Sequence, residues 1–282
     1  MALRILHHKT FALTALWGAL LLLPLSLTAQ TTISVTNANL AQGQFPVAPG
    51  SLATAFSVGG NFAGIPGGAD GVGAASIPLP FNLQGVVVEV DGLPAALLFA
   101  REGNTAGGVP GQINFQVSWG TAFGRLPIRV LVNGAEVASG FMNVTDAAPG
   151  LFRFFEPGDP PRGIISNSDF SLNGPDNRAQ RGSFLIAWGT GPGPFDVTVA
   201  DGDIPPAGTQ PAPELDVVCY LSVAEVVPAT ALQSTFVGLW QINIPIPNLA
   251  YLSGEVPLFC MVRTPGSAQG IPTNTIKLWI AE

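Results

Sequence analysis

Residues 111–119 read Gly111-Gln112-Ile113-Asn114-Phe115-Gln116-Val117-Ser118-Trp119, and residues 240–246 read Trp240-Gln241-Ile242-Asn243-Ile244-Pro245-Ile246. Both stretches alternate apolar and polar residues with period two, the pattern of a strand with one buried face. In the first, Ile113, Phe115, Val117 and Trp119 point one way and Gln112, Asn114, Gln116 and Ser118 the other. In the second, Ile242, Ile244 and Ile246 share a face. A strand this distinctive, used twice, implies one domain type present in two copies.

Other landmarks repeat in step. Gly182 in Arg181-Gly182-Ser183-Phe184 follows Gly50 in Pro49-Gly50-Ser51-Leu52 by 132 positions. Val217 follows Val87 by 130, Gln241 follows Gln112 by 129, and Gly254 follows Gly124 by 130. The near-constant offset gives tandem units of about a hundred residues, an ordinary domain size. Turn signals punctuate short strands: Asp91-Gly92 closes a Val-rich run with Ala95–Ala100 expected as its partner, and Asn133-Gly134 closes another. Ile164–Asn173 reads as a small hairpin. The expected architecture is all-β, with two tandem immunoglobulin-like sandwiches at 30–148 and 177–282 and a junction with a short hairpin at 149–176.

Composition agrees. Charged residues are 10% of the chain, well under the roughly 25% of ordinary soluble domains. With 34 Gly and 26 Pro but no Gly-X-Y period and ample Val, Ile, Leu and Phe, the chain fits a turn-rich β protein and neither collagen nor disorder. Residues 1–29 read as an export signal: Arg4 and Lys9, an apolar run from Phe11 to Leu23, Pro24, then Leu27-Thr28-Ala29 before Gln30. Without Arg4 and Lys9, nine basic residues (11 less 2) face 18 acidic ones. An acidic chain with scattered arginines and no basic stripe is a poor nucleic-acid binder. No later segment is apolar and long enough to span a bilayer as a helix. The expected location is the periplasm, cell surface or medium.

Both histidines, His7 and His8, fall in the signal, which removes Ser-His-Asp, Cys-His and histidine-zinc chemistry from the mature chain. Paired carboxylates such as Glu89 with Asp91, or Asp201 with Asp203, remain for glycosidase-type work, against a reading as solvated surface acids. Gly71-Val72-Gly73 and Gly189-Thr190-Gly191 open no helix and read as turns rather than phosphate loops. Oxygen-rich loops hold the calcium candidates Asp169, Asn173, Asp176 and Asn177, and later Asp196, Asp201 and Asp203; the same residue types also cap turns. No other cofactor is indicated. Trp119, Trp188, Trp240 and Trp279 fit strand positions, where a core role competes with a sugar-stacking face. Gln112, Asn114, Gln241 and Asn243 are expected to bond neighbouring loop backbone, since half-buried amides need partners.

Cys219 and Cys260 leave two readings open. Two cysteines in an exported chain favour a disulfide. The repeat, however, aligns Cys219 with solvent-facing Glu89 and Cys260 with core-facing Val130, and opposite faces do not pair unless a bulge or one-residue shift intervenes.

Several motifs occur together in order: Val47-Ala48-Pro49-Gly50-Ser51, Asp91-Gly92-Leu93-Pro94-Ala95, Pro110-Gly111-Gln112-Ile113-Asn114, Ala148-Pro149-Gly150-Leu151-Phe152, Asn167-Ser168-Asp169-Phe170, Gly189-Thr190-Gly191-Pro192-Gly193-Pro194 and Leu239-Trp240-Gln241-Ile242-Asn243. From about residue 33 onward the chain resembles the Solibacter-type uncharacterised C-terminal domain family of exported acidobacterial proteins. The resemblance implies tandem IPT/TIG-like sandwiches and carries over no catalytic residue. Arg178 stands where that pattern usually has Pro, and the second unit lacks a turn matching Asp91-Gly92. The functional expectation is an exported, non-enzymatic protein of adhesion, surface structure or binding, its partner an envelope protein or a glycan. A carbohydrate-binding module and a carboxylate-only hydrolase are the alternatives.

Overall fold

The computed structural model describes residues 31–37 and 45–282. The expected signal lies outside the described residues. Among those residues there is no helix; the chain forms 19 strands. The first unit holds β1 (Thr31–Asn37), β2 (Leu52–Val58), β3 (Val72–Gly73), β4 (Val86–Val90), β5 (Leu93–Pro94), β6 (Ala96–Arg101), β7 (Gln112–Gln116), β8 (Gly124–Val132) and β9 (Ala135–Val144). The second holds β10 (Gly150–Leu151), β11 (Ile165–Asn167), β12 (Phe184–Thr190), β13 (Asp216–Leu221), β14 (Ala224–Val226), β15 (Ala229–Leu232), β16 (Trp240–Pro245), β17 (Gly254–Arg263), β18 (Ile271–Pro272) and β19 (Ile276–Ile280).

The two units repeat one plan. In the first, β6-β7-β2 run side by side and β9-β8-β4-β5 form the opposing layer; in the second, β15-β16-β12 and β19-β17-β13-β14 do the same. Ile113 and Phe115 are fully buried in the first core, Ile242 and Ile244 in the second. Both are immunoglobulin-like β-sandwiches, in tandem. They differ at the edge. β1 pairs antiparallel with β2 and, at Thr31–Ile33, parallel with β9, so it ties both layers of the first unit into one nine-stranded ladder. In the second unit the layers are separate five-stranded sheets.

Three expectations change. Residues 149–176 are not merely a junction: β10 and β11 both pair with β12, so this stretch supplies part of the second sandwich. The hairpin within it forms, with Asn173 N–H donating to Ile165 O at 2.9 Å and Phe170 at φ 64° in its turn. Secondly, Ala95–Ala100 partners the Val-rich strand only at Ala95, whose N–H donates to Val88 O at 2.8 Å. The Asp91-Gly92 turn, both residues at positive φ, pairs β4 only with the short β5, and the chain then crosses to pair with β7.

Thirdly, Cys219 faces the core and is fully buried, as is Cys260. Cys219 pairs with Cys260 just as Val88 pairs with Val130. The offset between repeats is thus 131 at this strand and 130 at the next, and the one-residue difference moves Cys219 onto the buried face. The two sulfurs are bonded, with Cα atoms 3.9 Å apart. Cys260 sends its backbone bonds the other way, to Thr273, which marks the cysteines as a non-hydrogen-bonded pair, the closer kind. The bridge lies within one layer rather than between layers.

The units are clasped together at the end of β7. Gln116 is buried; its Nε2 donates to Gly50 O at 3.3 Å, and its Oε1 accepts from Gly202 N at 2.7 Å. Asp201 accepts from Trp119 N at 2.7 Å through one carboxylate oxygen and from the Ser118 hydroxyl through the other. Gly202 O accepts from Leu79 N at 2.7 Å. Trp119 leaves its own unit and packs on the core of the second, edge-on to Phe195 at 6.0 Å. Gly50 makes room: it sits at φ +74°, and a Cβ there would lie 2.1 Å from the Trp119 ring. Thr190 adds a second tie, donating to Gly238 O at 2.9 Å and accepting from Leu52 N at 2.8 Å. Leu79, Ala96 and Val237 form a small apolar cluster between the units.

Two outcomes follow from these contacts. Denatured, unreduced mature protein is expected to titrate no thiol, and reduction is expected to cost about 4 kcal/mol for a closed loop of 41 residues; two free thiols before reduction would refute the bridge. Asp201→Ala removes two charge-assisted bonds, worth about 3 kcal/mol together, so thermal melting should fall and Trp119 fluorescence should shift red. An unchanged melt and spectrum would show that the clasp does not hold the units.

Candidate functional site

The polar residues of β7 divide by position. Gln116 and Ser118 are consumed by the clasp; Gln112 and Asn114 face a groove. On the outer face Asn114 lies between Thr54 of β2 and Phe99 of β6, and Gln112 between Phe56 and Arg101. A bulge between Leu97 and Phe99 breaks the alternation of β6, so Leu98 and Phe99 both line this face. The second unit supplies the facing wall, with Phe236 from the loop between β15 and β16, and Phe152 and Phe155 after β10. The space is two adjoining cavities of about 620 and 500 Å³ that share Leu98, Asn114 and Phe236.

The amides are held in order. Gln112 Nε2 and Thr54 Oγ1 both donate to Asn114 Oδ1, at 2.9 and 3.0 Å. The expected anchoring of loop backbone is therefore not what these amides do, because their nearest polar neighbours lie on the same face of the sheet. With Oδ1 doubly used, the Asn114 NH₂ and the Gln112 carbonyl oxygen have no protein partner among the described residues. Phe236 and Phe155 keep 45% and 74% of their surface exposed, enough to offer a ring face to a ligand. The Arg153 guanidinium sits 4.9 Å from the Phe155 ring centre.

The second copy repeats the amide geometry without the groove. Gln241 Nε2 donates to Asn243 Oδ1 at 2.8 Å, and Gln233 donates to Gln241 Oε1. Only a small cavity of about 180 Å³ adjoins them.

The calcium candidates are dispersed. Asn173 is buried and clamps the backbone of Trp279 from both sides, at 2.8 Å each, and its NH₂ also reaches Asn167 Oδ1 at 2.9 Å. Asn177 bonds Leu172 O at 2.9 Å. Asp169 caps its own turn; the Ser171 hydroxyl and N–H hold its carboxyl below the usual carboxylate range. Asp176 lies exposed in the Gly174–Asn177 turn. Asp201 belongs to the clasp, Asp203 caps its own turn at Ile204, and Asp196 accepts from Ala212 N across a bridge sixteen residues on. Among the described residues no three of His, Cys, Asp and Glu gather closely enough to hold a metal ion. Of the paired-carboxylate candidates, Glu89 is engaged by Arg129 at 2.5 Å on the far layer of the first sandwich.

The tryptophans form no common face. Trp240 is fully buried in the second core, Trp119 packs between the units, Trp188 lies opposite Gln241 on the outer face of β12, and Trp279 lies beneath Arg162 and Lys277. The groove aromatics are phenylalanines that no strand pattern singled out. One signal was present for the clasp: the copies agree at Gln112/Gln241 and Asn114/Asn243 but diverge at Gln116/Pro245 and Ser118/Pro247.

No family model matches the chain, and no curated protein matches it. Among solved structures, it is similar over 84% of its length to a Bacteroides ovatus protein of a mixed-linkage glucan utilization locus, SGBP-B, in complex with a mixed-linkage heptasaccharide, at 13% identity and a TM-score of 0.34. The chain spans only 42% of that protein. It is similar to the D0-D1 domain of intimin at 9% identity and a TM-score of 0.22, covering 89% of this chain and 98% of that one. It is similar to the Yersinia pseudotuberculosis adhesin InvE at 13% identity and a TM-score of 0.21, covering 88% and 58%. At these identities the likeness is one of fold alone.

Proposed function

We propose that this chain is an exported, non-enzymatic binding protein that takes an oligosaccharide in the groove between its sandwiches. The observation that carries the reading is the make-up of that groove: ordered amides on a rigid sheet, faced by exposed aromatic rings. Sugars present two kinds of surface, hydroxyls that donate and accept, and C–H faces that lie on aromatic rings. The free Asn114 NH₂ and Gln112 carbonyl supply a donor and an acceptor, and Phe236 and Phe155 supply the rings. An extended peptide fits less well, because the floor is a sheet face rather than an edge and offers no ladder of backbone partners. Holding the amides on strands fixes their geometry before the ligand arrives, which lowers the cost of binding.

Catalysis is disfavoured by the same geometry. Neither cavity is lined by Asp, Glu or His among the described residues, so no proton donor or nucleophile faces a bound glycosidic bond. The acids sit elsewhere, in turns, ion pairs and the clasp.

A glycan array with purified mature protein tests the reading. Phe236→Ala and Gln112→Ala should each weaken any retained glycan about tenfold or more while leaving the fold intact. Retention indifferent to both would place binding outside the groove. Asn114→Ala should also lose about 1 kcal/mol of stability with its two accepted bonds; loss of binding with no loss of stability would show that the amide network is not structural.

A further inference from the structure

We infer that the sugar bound in this groove is anionic, bearing a carboxylate or sulfate that Arg101 receives. The inference rests on the groove being the binding site and adds the charge of its ligand.

Among the described residues, Arg101 is the only charged one lining either cavity. It lies across from Gln112 at the end of β6 and is half-buried. Its Nε is shielded from solvent and has no hydrogen-bond partner among the described residues. It forms no ion pair there either: the paired cations are Arg129 and Lys277. The neighbouring Glu102 does not serve it, since Glu102 accepts instead from Asn61 at 2.9 Å. A buried N–H without a partner is costly, and a guanidinium is the group least able to shed its charge to reduce that cost. Nε itself is closed to a ligand, but the outer N–H groups of the guanidinium, which have no hydrogen-bond partner among the described residues, can meet a planar oxyanion with paired bonds, the geometry for which arginine is suited.

The surrounding charge makes this location specific. The chain carries 18 acidic residues against 11 basic, yet among the described residues no acid lines the groove. A neutral sugar could accept a hydrogen bond from Arg101 but would leave its charge without a partner. An anionic sugar satisfies the guanidinium while its remaining hydroxyls meet Gln112 and Asn114.

The test compares oligogalacturonate and κ-carrageenan oligosaccharides with their carboxyl-reduced and desulfated counterparts, by calorimetry at physiological salt. The expected result is binding of one acidic oligomer at least tenfold tighter than its neutral form; whichever is preferred identifies carboxylate or sulfate as the anion. Arg101→Gln should abolish that preference, and Arg101→Lys should restore part of it, with melting curves confirming that both variants fold. Equal affinity for the acidic and neutral forms, lost on Phe236→Ala, would overturn the charge inference and leave the groove reading standing. A preference that survives Arg101→Gln would likewise overturn it. No affinity for any acidic or neutral oligomer would overturn both.

Discussion

The clasp between Gln116, Ser118 and Trp119 of the first sandwich and Asp201 and Gly202 of the second is the constraint on which the remaining architecture depends. Tandem β-sandwiches joined by a short linker move independently unless a substantial interface holds them. Here a buried amide, a carboxylate with both oxygens occupied and an indole transferred into the neighbouring core act together. Each is satisfied only in one relative placement. Bonds to a charged acceptor and burial of an aromatic ring are both short-range and geometry-dependent, so a small rotation loses several at once. The groove exists because of that placement, since one wall comes from each unit.

Duplication explains how one strand serves two purposes. Its inward residues, Ile113 and Phe115 or Ile242 and Ile244, are interchangeable between copies because both build a core. Its outward residues have diverged according to what they face. Gln112 and Asn114 keep the same mutual hydrogen bond as Gln241 and Asn243, which suggests that the bond was present in the common unit. Past that point the first copy continues with Gln116 and Ser118, and the second with Pro245 and Pro247. Proline has no N–H and no polar side chain, so the second copy cannot repeat the clasp. The array is therefore directional: the end of the first copy's strand grips the turn of the second.

How much of this was legible in the sequence follows the range of the interactions. Period-two alternation and Asp-Gly or Asn-Gly turns are local, and the strands, their buried faces and the tandem plan were readable from them. Strand pairing is not local. Ala95–Ala100 follows a tight turn and looked like its returning arm, but after the bond from Ala95 to Val88 the chain crosses to β7 in the opposite layer. Cys219 was misplaced by a single residue of drift between copies, which in a strand exchanges inside for outside. The amides were expected to hold loops because a half-buried amide needs a partner; the rule held, but the partners were neighbouring side chains, and loop anchoring fell to Gln116. The groove itself was unreadable. Phe152, Phe155 and Phe236 belong to loops without periodicity, and they meet Gln112 only through the contact between the two units.

The distribution of charge carries the argument one step further. A chain with few charged residues still has to place 18 acids, and in this fold they go to turns, where a carboxylate caps backbone N–H groups at little cost, and to surface ion pairs. Asp169 and Asp203 cap turns; Asp196 ties its segment to Ala212; Glu89 and Glu255 pair with cations; Asp201 is spent on the clasp. These uses keep the acids at strand ends and loop tips, away from the middle of the sheet face where the groove lies. An arginine on that face, with no ion pair among the described residues, carries there the charge opposite to that of the whole protein. Beyond about 8 Å at physiological salt the distant acids are largely screened, so what a ligand meets in the groove is governed by Arg101 and its immediate neighbours. The net charge of a protein is a guide to solubility and long-range encounter; the sign of a site is set by which residues the fold leaves without partners.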